Sequence, residues 1–113
     1  MPSGYVPRPG DLISIDFNLQ TGREEAKRRP AIVLSAANYN ARAGLALVCP
    51  IASRIKGYPF EVILSSNLKA TGAVLVDQIK SLDWRIRNAR YIGPAIEDVL
   101  EEIRARLRAL LGL

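Results

Sequence analysis

Asp11-Leu12-Ile13-Ser14-Ile15-Asp16-Phe17 alternates apolar and polar residues, and the fold follows from how that stretch is read. A period of two belongs to an extended strand with one face buried and the other wet. Pro9-Gly10 supplies the turn before it. Downstream, Pro30-Ala31-Ile32-Val33-Leu34-Ser35 and Leu45-Ala46-Leu47-Val48-Cys49-Pro50-Ile51 are short continuous apolar runs, which read as strands covered on both faces. Pro30 suits a strand's first position, where its missing N–H breaks no ladder. Phe60 to Leu64 and Ala73 to Lys80 resume the extended pattern, the second after a Thr71-Gly72 turn. Ala89 to Gly93 is a further short extended piece. Asn38 to Gly44 reads as turn material, Ser53 to Pro59 as a basic loop, and Leu82 to Arg85 as a connector. Asn18 to Arg29 is polar with no apolar period, so it reads as a long exposed loop, and loops of that length tend to carry function.

Only Pro94 to about Leu111 reads as a helix, with Pro94 in its first turn. Ile96, Val99, Leu100, Ile103, Leu107, Leu110 and Leu111 fall on one stripe. Acids fill the first half and Arg104, Arg106 and Arg108 the second, an order that complements the helix dipole. Gly112 ends it. Short strands followed by one terminal helix predict a mainly β, α+β fold: a bent antiparallel sheet or small barrel, capped by the helix, in a single domain over 1–113.

The chain carries a formal charge of +5. Up to Gly93 there are 13 Lys/Arg against 7 Asp/Glu, and beyond it 3 against 4, so the basic excess belongs to the strand region. That excess suits a polyanion such as nucleic acid, or an acidic protein segment, and equally a merely soluble surface. There is no histidine. Two-histidine ribonuclease chemistry, a Ser-His-Asp triad and imidazole-bound zinc are excluded. The one cysteine, Cys49, makes no internal disulfide, which fits a reducing cytoplasm. No apolar run is long enough to span a bilayer. Any catalysis must rest on Arg, Lys, carboxylates and hydroxyls.

Four segments, in order, resemble the MazF/PemK toxin family. They are Gly10-Asp11-Leu12-Ile13; Glu24 followed by Arg29-Pro30-Ala31-Ile32-Val33-Leu34-Ser35; Lys56-Gly57-Tyr58-Pro59-Phe60-Glu61-Val62; and Asp77-Gln78-Ile79-Lys80-Ser81-Leu82-Asp83-Trp84-Arg85. The resemblance implies an SH3-like barrel, a homodimer, and sequence-selective cleavage of single-stranded RNA with no metal or other cofactor. It also implies an acidic antitoxin of the MazE type lying in the RNA groove.

Such cleavage uses the 2′-hydroxyl beside the scissile phosphate and leaves a 2′,3′-cyclic phosphate and a 5′-hydroxyl. The enzyme must align the attack, neutralise the phosphorane and move two protons. Arg29 stands where the family has its catalytic arginine, and a guanidinium forks onto two phosphate oxygens. Glu24 is a proton acceptor or a prop for Arg29, or else a solvated loop acid. The family's Pro-x-Thr-Ser/Thr pattern here reads Pro50-Ile51-Ala52-Ser53. Ala52 offers no hydroxyl: either Ser53 takes over, or the activity is weaker or lost. Adjacent side chains of a strand point to opposite faces, so Ser53 needs a bend to reach the same spot.

Arg54, Lys56 and Tyr58 form a basic-aromatic loop able to hold phosphates and a base; Tyr58 could instead anchor the loop. Asn40, Asp77 and Gln78 are candidates for base-edge contacts, though the last two could equally satisfy backbone at a strand end. Arg85, Arg87 and Arg90 could line the groove or the antitoxin site. Trp84 suits core or dimer packing more than stacking. Two other readings remain: a non-cutting RNA- or antitoxin-binding relic, suggested by Ala52, and a CcdB-like topoisomerase poison on the same fold. The Arg29 loop and Lys56-Gly57-Tyr58-Pro59 speak against the latter.

Overall fold

The structure, a computed structural model, describes residues 4–17, 28–64 and 70–113. Its elements are β1 (Asp11–Asp16), β2 (Arg28–Val33), α1 (Ala37–Ala43), β3 (Leu45–Ala52), β4 (Glu61–Leu64), β5 (Gly72–Leu75), a 3-10 turn (Val76–Gln78), β6 (Lys80–Asp83), β7 (Arg90–Pro94) and α2 (Glu97–Leu111). The strands run β4-β5-β3-β2-β1-β7, and β6 also pairs with β3. Every pairing is antiparallel.

β3 makes the bend. Its first half, Leu45–Val48, pairs with β6, while Ile51 and Ala52 at its far end pair with β5. One strand thus serves two differently oriented ladders, and the sheet curls. Two cores result. Leu12, Ile32, Cys49, Ile51, Val62, Val74 and Val76 pack beneath Val99 and Ile103 of α2. Ile13, Ile15, Ala31, Val33 and Val48 pack with Leu82, Trp84 and Ala89. Consecutive residues Leu12 and Ile13 feed opposite cores, so β1 is covered on both faces and not half-buried as its alternation predicts. Only Ser14 and Asp16 are partly exposed along it. Burial raises the Cys49 thiol to about 12, far from any reactive thiolate.

Four local expectations are corrected. Residues 37–43 form a helix, not a turn; seven residues are too few to display a 3.6-residue period. Gly44, at φ 72°, ends it by bonding its N–H to the Asn40 carbonyl. The extended run from Ala73 stops at Leu75, because the chain leaves the sheet at Val76–Gln78, and it returns as β6, Lys80–Asp83, which takes in Leu82 and Asp83 of the expected connector. Pro94 closes β7 opposite Asp11, and the helix begins at Glu97. Arg28 and Arg29 belong to β2, so the loop ends before them.

In α2, Val99, Leu100 and Ile103 are buried and Leu107 packs partly against the core, while Ile96, Leu110 and Leu111 are exposed. Arg104 pairs with Glu97 and Glu101, and Arg106 with Glu102. Arg106 also donates to the Pro59 carbonyl at 2.6 Å, tying the helix to the loop after β3. Among the described residues no helix is long and apolar enough to cross a membrane.

Candidate active site

A cleft of about 580 Å³ opens where the end of β3 meets β5, with Arg29 and Pro30 on one wall. Strand alternation separates Arg29 from its neighbour. Arg28 lies opposite Asp16 and is spent on structure. Its guanidinium donates to Ser14 Oγ at 3.1 Å, the Ser14 carbonyl at 2.7 Å and the Asn88 carbonyl at 2.8 Å. Desolvation, and secondarily Arg90, lowers its pKa. Arg29 lies opposite Ile15, exposed, with its guanidinium 6.0 Å from the Phe17 ring centre. Among the described residues it forms no ion pair.

The second wall is the end of β3. The strand stops at Ala52 and the chain bends through Ser53 and Arg54, so the consecutive residues Ala52 and Ser53 both line the cleft. The bend that Ser53 needs is therefore present. Gly72 allows the bend to sit tightly against β5. Its φ is +119°, and a Cβ there would lie 2.0 Å from the Ala52 carbonyl oxygen. The preceding residue, Thr71, is exposed and lines the same cleft. Sequence reading treated Thr71-Gly72 only as a turn. What brings a second hydroxyl beside Ser53 is the β3–β5 register, Ala52 opposite Ala73, and that is not visible in the linear chain.

Arg54, Lys56 and Tyr58 form the third side, with Leu75 and Gln78 beneath. The loop is held by Glu61, a carboxylate only 7% exposed. Both its oxygens accept from the Lys56 N–H at 3.1 Å, and Oε1 accepts from the Gly57 N–H at 2.7 Å. Two successive N–H groups converging on one anion need Gly57 in the left-handed region, at φ +85°. In the linear sequence Glu61 reads only as a strand residue. Glu61→Gln keeps one acceptor oxygen and loses the charge, so it is expected to cost about 1–3 kcal/mol of stability. It should also leave Lys56 less firmly held at the cleft. A denaturant titration checks the first; an unchanged midpoint contradicts this role.

Tyr58 donates to Asp77 Oδ1 at 2.7 Å, joining the loop to the 3-10 turn. That hydrogen bond, with some desolvation, pushes the phenol up to about 12, so at neutral pH Tyr58 is a donor and never a base. Tyr58 is thus anchored, and Asp77 is engaged by it at the rim and does not line the cleft.

One RNA-contact candidate is corrected. Asn40 is fully buried in α1. Its Nδ2 donates to the carbonyls of Pro7 at 2.8 Å and Ser35 at 3.0 Å, and its Oδ1 accepts from the Ser35 hydroxyl at 2.6 Å. No edge is left for a base. Its main-chain oxygen accepts from Trp84 Nε1, which puts Trp84 in the core. Arg85 lies outside the cleft, stacked 4.6 Å from the Trp84 ring centre and donating to the Ala41 carbonyl at 3.2 Å. Glu24 falls outside the described residues.

The chain matches the family described as PemK-like, MazF-like toxin of type II toxin-antitoxin system over residues 8–111. It is 45% identical over 112 residues to the endoribonuclease toxin MazF of Escherichia coli K12, covering 99% of this chain and 100% of that one. Crystal structures from Deinococcus radiodurans share the fold. MazF (Form-I) gives a TM-score of 0.88 at 50% identity over 96% of this chain and 99% of that one. The MazE-MazF complex (Form-II) gives 0.87 at 48%, covering 96% and 98%. The mainly β architecture with a C-terminal helix is the one predicted from sequence. With nearly the whole chain matched in both sequence and backbone, this chain belongs to the PemK-like, MazF-like toxins of type II toxin-antitoxin systems.

Proposed function

We propose that this chain is an endoribonuclease toxin that cuts single-stranded RNA in the Arg29 cleft by attack of the RNA's own 2′-hydroxyl, without a metal ion. One observation carries the reading: Arg29, without an ion-pair partner among the described residues, shares a cleft with the cations Arg54 and Lys56 and the hydroxyls of Ser53 and Thr71. The 2′-oxygen bonds to phosphorus, the bond to the 5′-oxygen breaks, that oxygen takes a proton from water to leave as a 5′-hydroxyl, and a 2′,3′-cyclic phosphate remains. The Arg29 guanidinium binds two of the phosphorane oxygens as their charge grows. Ser53 supplies the hydroxyl that Ala52 lacks, donating to a non-bridging oxygen. Glu24 accepts the 2′-hydroxyl proton. Lys56 and Arg54 hold flanking phosphates, and the edge of Gln78 faces a base.

In this reading the active form is a cytoplasmic homodimer, and an acidic MazE-like antitoxin silences it by occupying the basic cleft. The MazE-MazF complex of similar sequence supports the partner. Incubation of the purified protein with a long single-stranded RNA in EDTA is expected to give recurrent cuts with cyclic-phosphate and 5′-hydroxyl ends. Binding without cutting would instead support the relic that Ala52 suggests. Ser53→Ala is expected to lower the cleavage rate sharply, and Ala52→Thr to raise it. Unchanged rates in both would remove the hydroxyl from the scheme, unless Thr71→Val then abolishes cutting.

A further inference from the structure

A second cleft, of about 800 Å³, shares none of the lining residues of the first. Tyr5, Arg8, Arg90 and Tyr91 shape it, with Asp11 at its floor. From this geometry, and resting on the endoribonuclease reading, we infer that it is an accessory RNA site: it stacks one unpaired base on Tyr91 and holds the adjoining phosphates with Arg8 and Arg90.

The site is built rather than incidental. Asp11 is 8% exposed, and its Oδ2 accepts from the Tyr5 hydroxyl at 2.8 Å and the Arg8 N–H at 3.1 Å. One buried carboxylate therefore fixes both the Tyr5 ring and the backbone that carries Arg8. Burial, with the bond to Asp11, raises the Tyr5 pKa, so the phenol remains a neutral donor to that carboxylate.

The Tyr5 and Tyr91 rings meet with centres 5.9 Å apart, tilted by 54°. Tyr5 braces Tyr91 from one side, and Tyr91 remains 52% exposed. β7 is an edge strand with a bulge: Leu12 faces Gly93 but Ile13 faces Tyr91, which leaves Ile92 unmatched. Below the bulge Tyr91 and Arg90 pair in regular register with Ile13 and Ser14, and both line the cleft.

Exposed aromatic faces between guanidinium groups are the chemistry that grips a single strand. The placement also suits one continuous RNA. Arg29 lies opposite Ile15, and Tyr91 opposite Ile13, on the two flanks of β1. Two strand spacings and two residues of rise separate their Cα atoms by about 12 Å, within reach of one strand entering the Arg29 cleft.

The test compares two oligoribonucleotides in the wild-type protein and in Tyr91→Ala and Arg90→Ala variants. One carries only the cleavage site; the other extends it by roughly ten nucleotides on each side, about the span of a single-strand site. For Tyr91→Ala we expect KM on the extended RNA to rise about tenfold, as when one base loses its stacking partner, with kcat unchanged. KM on the short RNA should not move. Extended RNA bearing 5-bromouracil in its flank should crosslink to Tyr91. Equal KM values for wild type and variant on the extended RNA overturn the inference. So does a variant that changes the protein's oligomeric size and slows both substrates alike, which would make the cleft a protein interface. If the wild type cuts neither RNA, the endoribonuclease reading itself is what fails.

Discussion

Arg29→Ala is expected to lower the rate of RNA cleavage by about two to three orders of magnitude, the loss found when one preorganised donor to a developing oxyanion is removed. The fold should be indifferent. Arg29 is exposed at the edge of the cleft, and among the described residues no carboxylate depends on it. Arg29→Lys should recover part of the rate but not all, since an ammonium keeps the charge and loses the fork. Arg28→Ala gives the contrast. Arg28 holds the Ser14 and Asn88 carbonyls, so its loss should lower the melting temperature while a folded fraction still cuts. Single-turnover rates on one labelled RNA, alongside thermal unfolding, separate the two. A cleavage rate for Arg29→Ala within a few-fold of wild type would sink the proposed chemistry.

Gly72→Ala should have the largest effect on stability, although it adds a single methyl group. A side chain held at positive φ costs on the order of 1–3 kcal/mol. The added Cβ would also meet the Ala52 carbonyl oxygen at 2.0 Å, and backbone cannot swing aside as a side chain does. Overpacking of that kind costs about 1–3 kcal/mol more, so a loss of roughly 2–6 kcal/mol is expected. Because the atoms displaced are those of Ala52 and Ser53, the surviving folded protein should also cleave poorly. A urea titration giving a loss under about 1 kcal/mol would mean that the contact relaxes easily and that Gly72 does not set the cleft wall.

How much of this could be read from the chain differs from element to element. The strands at 11–16, 45–52 and 61–64 announce themselves because periodicity and apolar runs are local signals. The two-sided burial of β1 does not, because it depends on β3 bending between two ladders far away in sequence. α1 hides in seven residues, and Asn40, read as a surface amide, closes the hydrogen bonds of that buried corner. In the cleft, Arg29, Ser53, Arg54, Lys56, Tyr58 and Gln78 come together from segments that the sequence marks by residue type and order. Thr71 and Glu61 were missed for different reasons. Thr71 enters through register, and Glu61 looks like any strand carboxylate until its backbone partners are known. Arg85, which the sequence marks by its charge and by its family-like connector, sits outside this cleft beside Trp84 and Ala41.

The cleft has no contiguous origin: its walls span Arg29 to Gln78, and the strand that flanks β1 on its other side is the last of the sheet, with Pro94 opposite Asp11. A chain still emerging from the ribosome with β7 untranslated lacks the strand that flanks β1.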